Sequence, residues 1–198
     1  MAGNRMGEQT RERIITAAAE EFIEKGFERA KMEEIAARAG VTKVMLYYHF
    51  NSKQNIFNEI VKNVVEEIKT EFRMSIEPAD RDDPAFFPSH LNLMLAYYQK
   101  RQKVLRLILS EYILRRQENE SLTVFNDVFS LILNLAGKKP EDSQEEFLVR
   151  VFFFNALPML MYSCMADSFC QDFNISPEVA RQVFIDNFMR TFRAHTSL

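Results

Sequence analysis

The sequence predicts an all-α protein of about nine helices, and three observations carry that prediction. The 198-residue chain holds only five Gly and six Pro, too few for the tight turns that an all-β fold consumes. Apolar side chains recur near a 3.6-residue period in almost every segment. The breaks between these segments coincide with glycine, proline or capping residues. With 47% hydrophobic and 27% charged residues, the composition is that of a globular protein able to bury a real core.

The elements follow in chain order. In TRERIITAAAEEFIEKG, Ile14, Ala18 and Phe22 repeat at i, i+4 and i+8, and Gly26 stands where a helix C-terminus needs it. A short helix over Met32–Ala39 closes at Gly40, a second runs from Thr42 to Phe50, and a long one covers about Ser52–Ser75. The stretch SIEPADRDDPAFFPSH, with three prolines and a charge cluster, reads as a loop. Helices are expected at His90–Arg101, Lys103–Gln117 and Ser121–Leu135. Ser143 and Glu146 have capping-box spacing for the next helix, which should reach about Ser168 with a bend at Pro158. Ser176-Pro177 pairs an N-cap residue with proline at N1, opening a last helix to about Ala194.

Residues 31–50 carry the most information. Two short helices are joined by a glycine turn, and Ile35, Ala36, Ala39, Val41 and Leu46 are the small or apolar residues that a steep helix crossing requires. Thr42 is the expected N-cap of the second helix. Leu46 and Phe50 share one face, i to i+4, and should point inward, leaving Lys43, Val44, Tyr47 and Tyr48 on flanking or outward positions. Acidic residues number 28 in the chain, yet none falls between Ile35 and Asn58. A surface bearing Arg38, Lys43, His49 and Lys53 without carboxylates suits approach to DNA phosphates. This local feature matters because the net charge of −3 supplies no global attraction to nucleic acid.

Residues 11–60 resemble the DNA-binding domain of the TetR family of transcriptional regulators. The resemblance rests on IITAAAEEFIEKGF, on MEEIAARAGVTKVMLYYHFNSK, and above all on LYYHF followed three residues later by lysine. It implies a helix-turn-helix domain over residues 1–53, and a ligand-binding and dimerising helical domain over 54–198. It further implies that Thr42, Lys43 and Val44 open a recognition helix toward base edges, while Tyr47, His49 and Lys53 hold phosphates. Val44 and Met45 are apolar where relatives carry small or polar residues, which points to thymine methyls. The family often places Ser or Thr ahead of the second helix; here Ala30 and Lys31 stand there, so the cap is lost and Lys31 is the expected substitute phosphate contact. Tyr48 belongs to the same surface without an assigned role.

The remaining helices offer VFFFNALPMLMYSCM, a band of large soft side chains read as a buried core or dimer helix. A cavity for an apolar effector would draw on Phe154, Met161 and Tyr162, with Tyr97, Glu111 and Tyr112 from earlier helices. The apolar run over residues 151–166, interrupted by Asn155 and Pro158, falls short of a membrane span. Cys164 and Cys170 read as reduced thiols of a cytoplasmic protein. The three histidines are scattered, and no metal spacing, nucleophile elbow or phosphate loop appears, so no enzyme activity or cofactor is expected. The sequence therefore predicts a cytoplasmic homodimeric repressor, released from a palindromic duplex operator by a small effector. The alternative is a helical small-molecule carrier that does not bind DNA.

Overall fold

The computed structural model describes residues 2–74, 86–114 and 143–195, which are helical almost throughout and contain no strand. The helices are α1 (Ala2–Lys25), α2 (Met32–Arg38), α3 (Lys43–His49), α4 (Lys53–Met74), α5 (Phe86–Lys100) and α6 (Gln102–Leu114). Next come α7 (Gln144–Arg150), a π-helical segment (Val151–Ala156), α8 (Leu157–Phe173) and α9 (Pro177–His195). The helix expected at Ser121–Leu135 and most of the loop expected from Ser75 lie outside the described residues.

Local chemistry accounts for most boundaries. Gly26 (φ 79°) and Gly40 (φ 64°) both adopt the left-handed conformation that ends α1 and turns the chain after α2. The capping box forms as spaced: the Ser143 amide donates to Glu146 Oε2 at 3.0 Å and the Glu146 amide to Ser143 Oγ at 3.1 Å. α1 starts far upstream of the stretch with the apolar period, since Thr10 donates its hydroxyl to the Met6 carbonyl as a helix-interior residue instead of breaking the helix. α5 opens at Phe86, taking in the end of the expected loop. Pro88 is tolerated there because first-turn amides have no intrahelical partner. α8 runs on to Phe173, where Asn174 takes φ 51° and the Ile175 amide reaches back to Cys170 O at 2.9 Å.

Pro158 is accommodated in a specific way. The turn ahead of it widens into the π-helical segment, in which the Leu157 amide donates to Phe152 O, five residues back. The proline then occupies the first turn of α8, where its missing N–H breaks no ladder.

The helices divide between two compact units. One comprises the residues up to Val64 together with those from Arg106 along α6; the other comprises Val65–Leu105 with α7, α8 and α9. In the first, Ile14, Ala18 and Phe22 of α1 pack with Ile35, Leu46 and Ile56, all fully buried. Burial of each large side chain contributes about 1.5–3 kcal/mol. Phe22, Phe27 and Phe57 form an aromatic trio with centroids 5.0–6.2 Å apart. Glu21 is also buried there, a position the helical period does not single out, and it is paired with Lys25 and with Arg38 Nη2.

In the second unit Leu91, Leu95, Ile185 and Met189 form the core. Arg181 of α9 clamps α5 by donating to Asn92 Oδ1 (3.1 Å) and Asn92 O (2.9 Å). The helix expected to be buried around VFFFNALPMLMYSCM is not, within the single chain. Val151, Asn155, Ser163, Cys164, Ala166 and Cys170 are buried on one side, but Val149, Phe153, Phe154, Met165, Phe169 and Phe173 stand exposed on the other. Leu148–Phe173 is one continuous helix, and by length and composition it is long and apolar enough to cross a membrane.

Candidate nucleic-acid interface

The candidate interface is built on α3, a helix of only seven residues. Isolated helices this short do not persist in water, so three features hold it. The Thr42 hydroxyl caps its N-terminus, accepting from the Met45 amide at 3.1 Å. Leu46 and Phe50 plug its inner face into the core. Arg13 of α1 braces the preceding turn, with Nε donating to Ala39 O (3.2 Å) and Nη2 to Gly40 O (3.1 Å). α2 lacks a side-chain cap, as its Lys31 N-cap residue implies.

With the inner face fixed, the outer residues have little choice of direction. Val44 and Tyr48 are exposed to 81% and 85%, Met45 and Tyr47 to 45% and 41%. Tyr48 sets its ring edge-on to His49, with centroids 5.3 Å apart. Thr42 and Lys31 are exposed, and His49 is half-buried. One helix thus presents Thr42, Lys43, Val44, Met45, Tyr47 and Tyr48 to solvent together.

Residues 14–60 match the model of bacterial regulatory proteins of the tetR family. This segment is similar to that family. The chain is also similar in sequence to named relatives. The chain is 35% identical over 79 residues to the transcriptional activator FasR of Mycolicibacterium smegmatis, a match covering 37% of this chain and 36% of FasR. It is 43% identical over 53 residues to the transcriptional repressor BepR of Brucella suis, covering 27% of this chain and 25% of BepR. The matches thus span well under half of these relatives.

The fold likeness extends further. A TetR-like regulator from a Rhodococcus species superposes with a TM-score of 0.65 at 15% identity, covering 91% of this chain and 94% of the other. NalD, the secondary repressor of a multidrug efflux pump in Pseudomonas aeruginosa, gives 0.61 at 22% identity, covering 94% and 97%. The overall architecture is therefore that of TetR-like regulators.

The matched segment departs from the sequence expectation in its electrostatics. The window from Ile35 to Asn58 lacks acids, but the surface it folds into does not, because α1 and α2 bring carboxylates across. Arg38 is bracketed by Glu20 (3.3 Å), Glu21 (2.9 Å) and Glu24 (2.5 Å). Its hydrogen bond to Glu24 raises the Arg38 pKa and lowers that of Glu24, whose affinity for protons falls further in the field of Arg38 and Lys25. Lys43 Nζ lies 2.5 Å from Glu33 Oε1 and 5.9 Å from the Tyr47 ring centroid. That pairing raises the Lys43 pKa and lowers that of Glu33.

Lys53 is turned inward. Nζ donates to Glu28 O (3.0 Å) and Ala30 O (3.1 Å) and stands 4.6 Å over the Phe27 ring, stitching the start of α4 to the turn between α1 and α2. Desolvation pulls its pKa below the ordinary lysine value, against the opposing charge of Glu111. One of its three N–H donors is left over after these two bonds. Glu111, also of the first unit, is itself nearly buried, and desolvation raises its pKa while Lys53 opposes the shift.

The expected effector residues are dispersed. Tyr97 is buried in the second unit, where its hydroxyl donates to Glu67 Oε2 at 3.2 Å and its ring underlies Arg101 at 4.4 Å. Tyr162 stacks on Phe184 with centroids 4.2 Å apart. Phe154 and Met161 are exposed, Glu111 lies in the other unit, and the side chain of Tyr112 lies outside the described residues. Cys164 and Cys170 are buried free thiols. Among the described residues no group of three or more His, Cys, Asp or Glu is placed to hold a metal.

Proposed function

We propose that this chain is a cytoplasmic, homodimeric transcriptional repressor that binds a palindromic duplex operator and is released by a small, largely apolar effector. The observation that carries the reading is the outward row on α3. Val44 and Tyr48 are more than four-fifths exposed on a helix otherwise capped, plugged and braced. A major groove admits a helix and offers thymine methyls to apolar side chains. In this reading Thr42, Lys43, Val44 and Met45 face base edges. Lys31, Tyr47, His49 and the remaining donor of Lys53 face phosphates, with Tyr48 at the margin of the contact. Catalysis has no part in it: the protein acts by binding.

The dimer is supported by the apolar stripe along α7 and α8 and by Val179 and Val183, exposed on α9. These faces suit a second copy, and two recognition helices must reach major grooves about 34–36 Å apart. The opposite side of α8 packs on the core of its own unit, as one wall of a soluble bundle does. Within that unit Phe154, Met161, Tyr162 and Tyr97 are the residues proposed to meet the effector, whose differential affinity for two states would weaken operator binding.

A mobility-shift assay with the duplex flanking the protein's own gene tests this reading. A shift that survives excess random duplex at about 0.15 M salt is expected. Binding no tighter than to random sequence would falsify the regulator reading.

A further inference from the structure

The ion pair between Lys43 and Glu33 joins the first turn of the recognition helix to the first turn of α2, ten residues earlier. Both side chains are more than half exposed, so the pair is not a core staple. Exposed ion pairs contribute little to stability, and neither residue plugs the core. Its consequence lies in where it puts a positive charge. The Lys43 ammonium is held on one side by Glu33 and flanked on another by the Tyr47 ring. An unrestrained lysine is a point charge on a flexible stem and finds phosphate anywhere within reach.

We propose that Glu33 is a specificity-determining positioning residue, which holds Lys43 for a base edge and withholds its charge from the phosphate backbone. The inference rests on the DNA-binding reading above. An ammonium carries three N–H donors. Glu33 Oε1 takes one, and two remain for a guanine O6/N7 or thymine O4 edge, so the pair persists on the operator. On random sequence no such edge is presented in register. There the paired lysine adds no net charge to the contact, and the Glu33 carboxylate repels nearby phosphate. The carboxylate thus lowers affinity for wrong sequences more than for the right one.

The test uses the full-length protein, a pool of duplexes with a randomised core, and salt titration on random duplex. The wild type is expected to enrich a motif. Glu33→Gln keeps the shape and removes the charge. It is expected to bind random duplex roughly 3–10-fold tighter at low salt, with a log–log salt slope steeper by about 0.9, the value of one added phosphate contact. The motif enriched by Glu33→Gln should lose selectivity at one position per half-site. Lys43→Ala alone should erase that same position while leaving the slope unchanged, and the double variant should reverse the slope gain of Glu33→Gln.

If Glu33→Gln leaves both slope and motif as in the wild type, the positioning role is wrong while the regulator reading stands. The positioning role is equally wrong if Lys43→Ala alone flattens the slope by a full unit, because Lys43 would then already sit on phosphate. If the wild type enriches no motif at all, both the regulator reading and this inference fall.

Discussion

Arg13 on α1 donates from Nε to the backbone carbonyl of Ala39, 26 residues downstream, at 3.2 Å. A second bond from Nη2 to Gly40 O makes the guanidinium a brace across the turn of the helix-turn-helix. That turn leads directly into α3, so α1 helps to position α3 through this brace.

Arg13→Ala should therefore cost stability as well as operator affinity. Hydrogen bonds from charged donors contribute about 1.5–3 kcal/mol, and partial exposure places this pair near the lower end. A drop of several degrees in Tm is expected for the isolated protein, checked by thermal denaturation. An unchanged Tm would mean that the Phe22, Leu46 and Phe50 packing alone fixes the turn.

Lys53 separates two roles that family resemblance merges. Its bonds to Glu28 O and Ala30 O are internal, so Lys53→Ala should destabilise the protein by about 1–2 kcal/mol in the absence of DNA. It should also weaken binding to all sequences alike and flatten the salt slope by up to about one unit. Calorimetry without DNA isolates the first effect. A lysine serving phosphate alone would leave the melting curve in place.

Acid should loosen the ion pairs that join α1, α2 and α3. Glu24, Glu33 and Glu34 all have pKa values lowered from 4.5 through hydrogen bonds to Arg38, Lys43 and Lys25 respectively. A carboxylate with a depressed folded-state pKa contributes stability that is present above its unfolded value. That contribution is lost as pH falls through the folded value. Tm should thus hold steady down to about pH 4.5 and decline below it. Glu24→Gln should make the decline shallower by removing one of the three titrations; identical acid profiles for the two proteins would rule out the ion-pair explanation.

The exposed stripe on α8 and α9 should be covered in solution. Phe169→Asp combined with Val183→Asp places charge where each side chain is about half exposed in the single chain. A monomer is expected by sedimentation, with operator affinity reduced by orders of magnitude because half-sites no longer bind together. A single-chain mass for the unmutated protein would instead leave this stripe to some other partner.

Helix identity, the turn at Gly40, the Thr42 cap, the Ser143–Glu146 capping box and the inward Leu46–Phe50 face were all legible in the sequence. Each depends on residues within a turn or two of one another, where 3.6-residue periodicity and backbone hydrogen bonding act directly. The outward direction of Val44 and Tyr48 followed, since fixing one helix face fixes the other. What the sequence could not reveal were contacts made across the fold. The acid-free window is real along the chain, yet Glu20, Glu21, Glu24 and Glu33 meet its cations from other helices. Lys53 turns inward to carbonyls 23 and 25 residues away. The helix around Phe153 is exposed along one side in the single chain; composition counts apolar side chains but does not say how many neighbours they will find. Local order was written in spacing; the charge that α3 presents was decided only when α1 and α2 packed beside it.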